Sequence, residues 1–154
     1  AQAVAYLERS YTGRRDDSGL NLDDKAGFGY MPGGGSPSFA MTAAGMLALQ
    51  ICGEYDSPMV IAAERWLQEN PPRREERFFY YAMYYYAQAM HQRGESTAEE
   101  AQRRVVELLL PLQQSDGKWE ANHGEEAGAG AVYATAMSIL SLSVRYHFLP
   151  IYQR

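Results

Sequence analysis

Apolar and polar positions alternate along this chain on two scales. Within segments, apolar residues recur every three or four positions, which predicts helices; between segments, stretches with a charged face alternate with stretches almost free of charge. The clearest amphipathic pattern spans residues 96–114, where Ala101, Val105, Leu108, Leu109 and Leu112 share a face and Glu100, Arg103, Arg104 and Glu107 lie off it. Ser96 followed by Glu99 reads as a capping box at its start, each side chain satisfying the other's free backbone N–H. A second amphipathic helix is predicted over 58–69. Pro58 suits a first turn that needs no N–H, and Pro71-Pro72 stops the element. A third is predicted over 3–11.

Residues 38–52, 78–92 and 132–144 carry almost no charge on any side, so each is expected to be enclosed by protein all round. Gly53 is expected to supply the left-handed cap that ends the first of them. The solvated and enclosed helices form pairs, and the pairs repeat. Phe28 in Gly27-Phe28-Gly29-Tyr30 corresponds to Trp119 in Gly117-Lys118-Trp119-Glu120, each followed by a Gly-rich loop and an enclosed helix. Thr42-Ala43-Ala44-Gly45-Met46-Leu47-Ala48-Leu49 aligns without a gap on Thr135-Ala136-Met137-Ser138-Ile139-Leu140-Ser141-Leu142. The expectation is an all-α chain forming one domain of three helical-hairpin repeats, about 1–53, 54–95 and 96–154, the middle one resting on spacing and helix character.

Composition changes this picture little. With 154 residues, 46% of them hydrophobic, one domain can bury a core without disulfides or metal. Fourteen basic against nineteen acidic residues leave no basic stripe to neutralise phosphates, which argues against nucleic-acid binding. Cys52 stands alone, excluding an intrachain disulfide and leaving the compartment unmarked. No transmembrane span is expected. Residues 26–53 are broken by Pro32, Gly33, Gly34, Gly35 and Pro37, and residues 127–144 are weakened by Gly128, Gly130 and several Ser and Thr. Residues 1–8 already have helical spacing and no leader pattern, as expected of a start inside a helix.

Leu108-Leu109-Leu110 followed by Gln114-x-x-Gly117-x-Trp119 resembles the Gln-Trp repeat of squalene and hopene cyclases. Gly27-Phe28-Gly29-Tyr30 is similar to the glycine-aromatic-glycine turn of the same repeats and of protein prenyltransferase β-subunits. The closing Leu149-Pro150-Ile151-Tyr152-Gln153-Arg154 is similar to the ends of bacterial proteins with prenyltransferase and squalene-oxidase repeats. The resemblance implies a partial α/α toroid, with enclosed helices as an inner ring and amphipathic helices as an outer ring. It also implies that Gly27, Phe28, Gly29, Gln114, Asp116, Gly117 and Trp119 are scaffold, the Gln amide tying a helix end to a turn and Trp119 stacking over the junction.

Neither family's chemistry is present in this sequence. The cyclases protonate substrate with Asp-x-Asp-Asp, whose clustered carboxylates keep one acid protonated. Here Asn21-Leu22-Asp23-Asp24 lacks the first carboxylate and precedes the turn, and Asp16-Asp17 reads as a polar loop. Prenyltransferases hold zinc with Asp, Cys and His. Ala134 stands where the His would follow Tyr133, and Ser36-Pro37-Ser38-Phe39 offers no Asp-x-Cys pair. Cys52, His91, His123 and His147 are scattered, so no metal or other cofactor is expected, His123 being the most exposed of them. Cys52-Gly53-Glu54-Tyr55 differs from the Cys-Gly-Glu-Gln of complement thioester domains at the Gln that would form the bond.

What remains is aromatic. Residues 78–86 place rings on every side of a helix, some for the core and some for an inner cavity; Phe39, Tyr81, Tyr84, Tyr85, Tyr133 and Met137 are the expected lining. The expected function is a binding module for an apolar small molecule or a partner peptide, with no catalytic residue of its own. A cyclase or prenyltransferase with its catalytic residues upstream, or a structural scaffold, are the alternatives. Three hairpins leave an arc open, so upstream repeats or a homodimer are expected to complete it.

Overall fold

The computed structural model describes residues 2–18, 23–33 and 35–146; the Leu149–Arg154 ending and His147 lie outside them. Among the described residues the chain is helical, without a named strand, as its periodicity predicts. It comprises two compact units, Ala1–Pro71 and Pro72–Arg154.

The first unit holds α1 (Gln2–Ser10), α2 (Phe39–Ile51) and α3 (Pro58–Glu69), with α2 packed against both others. Ser38 caps α2, its hydroxyl accepting the Met41 N–H at 3.3 Å. Gly53, at φ 92, ends it as expected, its N–H donating to the Gln50 carbonyl. α3 starts at Pro58 behind a Ser57 cap, buries Met59, Val60, Ala63 and Leu67, and stops two residues before Pro71.

Between α1 and α2 the chain returns to make an isolated antiparallel bridge from Tyr11 to Phe28, with ring centroids 5.3 Å apart. Phe28 is almost wholly buried. Glycine is required around it. A Cβ on Gly27 would stand 2.3 Å from Thr42 Oγ1, and one on Gly45 would stand 2.5 Å from the Phe28 ring.

The second unit holds α4 (Phe79–His91), α5 (Glu95–Leu109) and α6 (Gly130–Ser143); α4 packs on α5 and α6, and α5 also touches α6. The amphipathic reading of α5 holds, since Ala101, Val105 and Leu109 are buried while Arg103, Arg104 and Glu107 are exposed. Its expected boundaries do not. The helix begins at Glu95, with Gly94 at the cap in a left-handed conformation (φ 112) and no side chain capping it, so the Ser96–Glu99 box is not formed. Ser96 lies inside the first turn, where its own N–H is already part of the helix start. At the other end Pro111 has no N–H to continue the ladder, and the last turn tightens to a 3-10 turn over Leu110–Leu112.

α6 departs from expectation more deeply. It was expected to be enclosed on every side, yet Val132 is 86% and Ile139 53% exposed, and Ala136 between them is exposed too. Ala134, Ser138 and Ser141 form the buried face. Lack of charge here marks one face turned to protein and a second, apolar face turned to solvent.

Candidate functional site

The aromatic residues of the two glycine turns are held alike. Phe28 N–H donates to the Thr42 hydroxyl at 3.1 Å, and Trp119 N–H donates to the Thr135 hydroxyl at 3.0 Å. Trp119 is buried, and its indole N–H donates to the Leu109 carbonyl at 2.7 Å, tying the turn to the end of α5. The turn before it is closed by Gly117, at φ 86, whose N–H donates to the Gln114 carbonyl, while the Lys118 N–H donates to Asp116 Oδ1 at 3.2 Å. The Gln113 amide also braces this turn, donating to the Gly117 carbonyl at 2.9 Å.

The structure adds a residue that the sequence pattern does not single out. Glu126 is 5% exposed and sits at the start of α4, where Phe78 provides no side-chain cap. One carboxylate oxygen, Oε2, accepts the Tyr80 N–H at 2.8 Å. The other, Oε1, accepts the Tyr81 N–H at 2.9 Å and the Tyr133 hydroxyl at 2.7 Å. A buried carboxylate thus serves two orphan donors of one helix, aligned with the positive end of its dipole, and holds a side chain of another.

The 3-10 turn carrying it, Gly124–Glu126, is clasped to the same place. Glu125 N–H donates to the Arg77 carbonyl at 3.0 Å, and the Arg77 guanidinium donates back to Glu125 Oε1 at 2.7 and 3.1 Å. His123 Nε2 meets the Arg74 carbonyl, so this exposed candidate metal ligand is engaged with backbone.

Above this clasp the tyrosines converge. Tyr81 and Tyr85 ring centroids are 4.4 Å apart, and Tyr84 meets Tyr85 edge-on at 5.2 Å. Tyr81, Tyr84, Tyr85, Tyr133 and Met137 are all half-buried. Phe39 is buried in the first unit and belongs to its core. Burial, then the Glu126 hydrogen bond and charge, push the Tyr133 phenol well above its ordinary range. Burial likewise raises Tyr80, whose hydroxyl donates to the Glu120 carbonyl at 2.9 Å. Both hydroxyls stay protonated at neutral pH and donate within the fold, so neither brings charge to the tyrosine face.

The acids before the first turn are tied up by arginines. Asp23 accepts from the backbone N–H and guanidinium of Arg14, which together hold its carboxyl below the usual range, and Asp24 lies 3.6 Å from Arg65. Asp16 Oδ1 accepts from Ser18. Against protein families, curated proteins and solved structures alike, this chain finds no match.

Proposed function

We propose that the chain is an arc of α/α-toroid repeats of the terpenoid-cyclase and protein-prenyltransferase type. Its tyrosine face on α4 and α6 takes an apolar ligand or a partner peptide, without catalytic residues of its own. The observation that carries the binding reading is that Tyr81, Tyr84, Tyr85 and Tyr133 stand together and only half-buried, with Tyr133 anchored on Glu126. Rings that served packing alone would be covered; these leave part of their aromatic surface open at one place. The repeat reading is supported by the matched hydrogen bonds of Phe28 with Thr42 and Trp119 with Thr135, in which the two threonines occupy corresponding positions of the ungapped alignment.

Titration of isotope-labelled protein with farnesol, an uncharged isoprenoid alcohol, tests the binding reading by NMR. Shifts concentrated on α4 and α6 at Tyr81, Tyr85 and Tyr133, and lost in Tyr85→Ala, are expected. Uniform or absent shifts would remove support for an apolar-ligand site.

A further inference from the structure

A cleft of about 650 Å³ opens within the second unit, between α4, α5 and the turn Val144–Tyr146 that follows α6. Its volume lies in the range of small-molecule sites, and none of its lining residues belongs to the tyrosine face. All three elements contribute apolar side chains: Ala87 and Val144 are buried, and Ala98 and Val106 are half-buried along one side of α5. Eight residues of helix set the last two roughly 12 Å apart, room for an extended alkyl chain. The walls are fixed to each other, because the Gln102 amide donates to the Leu142 carbonyl at 3.1 Å and so ties α5 to the end of α6.

Charge enters from two elements. Arg103 of α5 and Arg145 of the turn, both exposed, line the cleft together with one carboxylate, Glu99, and with His91. The lining is therefore net positive in a chain whose net charge is −5. Among the described residues neither guanidinium makes an ion pair: Arg145 lies over the Tyr146 ring, and it is Arg104, not Arg103, that meets Glu107.

We infer that this cleft binds a chain carboxylate, an amphiphile of the fatty-acid kind, whose head pairs with Arg103 and Arg145 while its alkyl chain covers Ala87, Ala98, Val106 and Val144. Two guanidiniums from different elements offer forked donors that match a planar carboxylate. Glu99 opposes a second negative charge, so a monoanion fits better than a phosphate dianion. The apolar lining adds what a small inorganic anion lacks, alkyl surface removed from water. The inference shares no residue with the tyrosine face and does not depend on what that face binds.

Titration of the isotope-labelled full chain with sodium decanoate tests it by NMR, with decanol lacking the charge and acetate lacking the chain. Saturable shifts at Ala98, Val106 and Val144 are expected for decanoate, with binding at the same residues about tenfold weaker or more for decanol and for acetate. Arg103→Ala/Arg145→Ala, with helix content unchanged by circular dichroism, is expected to weaken decanoate about tenfold. Tyr81→Ala/Tyr85→Ala is expected to leave decanoate binding unchanged, which separates this cleft from the tyrosine face. No saturable decanoate binding at these residues, decanol or acetate binding there as tightly as decanoate, or undiminished affinity in the double arginine variant overturns the proposal. So does loss of decanoate binding in the double tyrosine variant.

Discussion

The Tyr133 hydroxyl donates to Glu126 Oε1 across 2.7 Å, and through that carboxylate the middle of the tyrosine face is fixed to the first turn of α4. The same group that caps a helix thereby sets the position of a ring on its neighbour. Stability of the second unit and shape of the candidate site are coupled at Glu126.

Replacing Glu126 measures the coupling. Glu126→Ala removes an acceptor for two backbone N–H groups and a hydroxyl, and is expected to cost about 2–4 kcal/mol, given about 1.5–3 kcal/mol for a charge-assisted hydrogen bond and about 1 for a cap. Glu126→Gln keeps one acceptor oxygen and should lose roughly half as much. Urea midpoints read the difference; a loss for Glu126→Ala below about 0.5 kcal/mol would show that the cap contributes nothing.

Gly124 is constrained twice, by φ 68 and by a Cβ position 2.5 Å from the Arg77 carbonyl oxygen. Gly124→Ala is expected to destabilise by about 2 kcal/mol or more, because a backbone atom cannot swing aside as a side chain can. Gly128→Ala, four residues on with nothing within 4 Å of its Cβ position, is the control and should stay within about 0.5 kcal/mol. Equal effects at the two sites would refute the steric account.

The paired threonines make a matched prediction. Thr42→Val leaves the buried Phe28 N–H without its acceptor, and Thr135→Val does the same to Trp119; each should cost about 1–2 kcal/mol. Thr→Ser at either position keeps the hydroxyl and should recover most of the loss in thermal melts. Thr→Val and Thr→Ser variants of equal stability would mean that the hydroxyls do not matter.

Alkaline pH should loosen the folded state. Burial, and then the charge of Glu100, raise the Tyr86 phenol to about 12, and Tyr133 moves in the same direction. Below the unfolded tyrosine value of about 10, both states hold these protons and stability is unaffected. Above it the unfolded chain releases them first and so binds fewer protons. Stability therefore falls as pH rises from about 10, for Tyr86 until about 12. Chemical unfolding at stepped pH should show this decline, and Tyr86→Phe should make it shallower relative to its own stability at neutral pH. An unchanged slope in that variant would assign the decline to other groups.

How much of this was legible beforehand follows from what each residue signals locally. Helix period, Pro58, Pro71 and Gly53 act through their own backbone, so the helices and several of their ends could be read directly. The tyrosine run marked the face because rings at helical spacing must stand close to one another. Glu126 could not be read that way. Its partners Tyr80 and Tyr81 lie more than forty residues earlier, and an acid beside Glu125 in a polar turn resembles any solvated pair. The trace it left was the absence of any capping side chain at Phe78, which implies a cap from elsewhere. The bare stripe of α6 was hidden for a different reason: an uncharged helix has the same composition whether its second face meets its own chain or another surface.

The central claim, that the Glu126-anchored tyrosines form a binding face, is tested most directly by equilibrium binding of a fluorescent farnesol analogue to the wild type and to the Tyr81→Ala/Tyr85→Ala double variant, helix content being matched by circular dichroism. Saturable binding that weakens by about tenfold or more in the double variant, some 1.4 kcal/mol, is the predicted result. Undiminished affinity in the double variant, or no saturable binding by either protein, would contradict it.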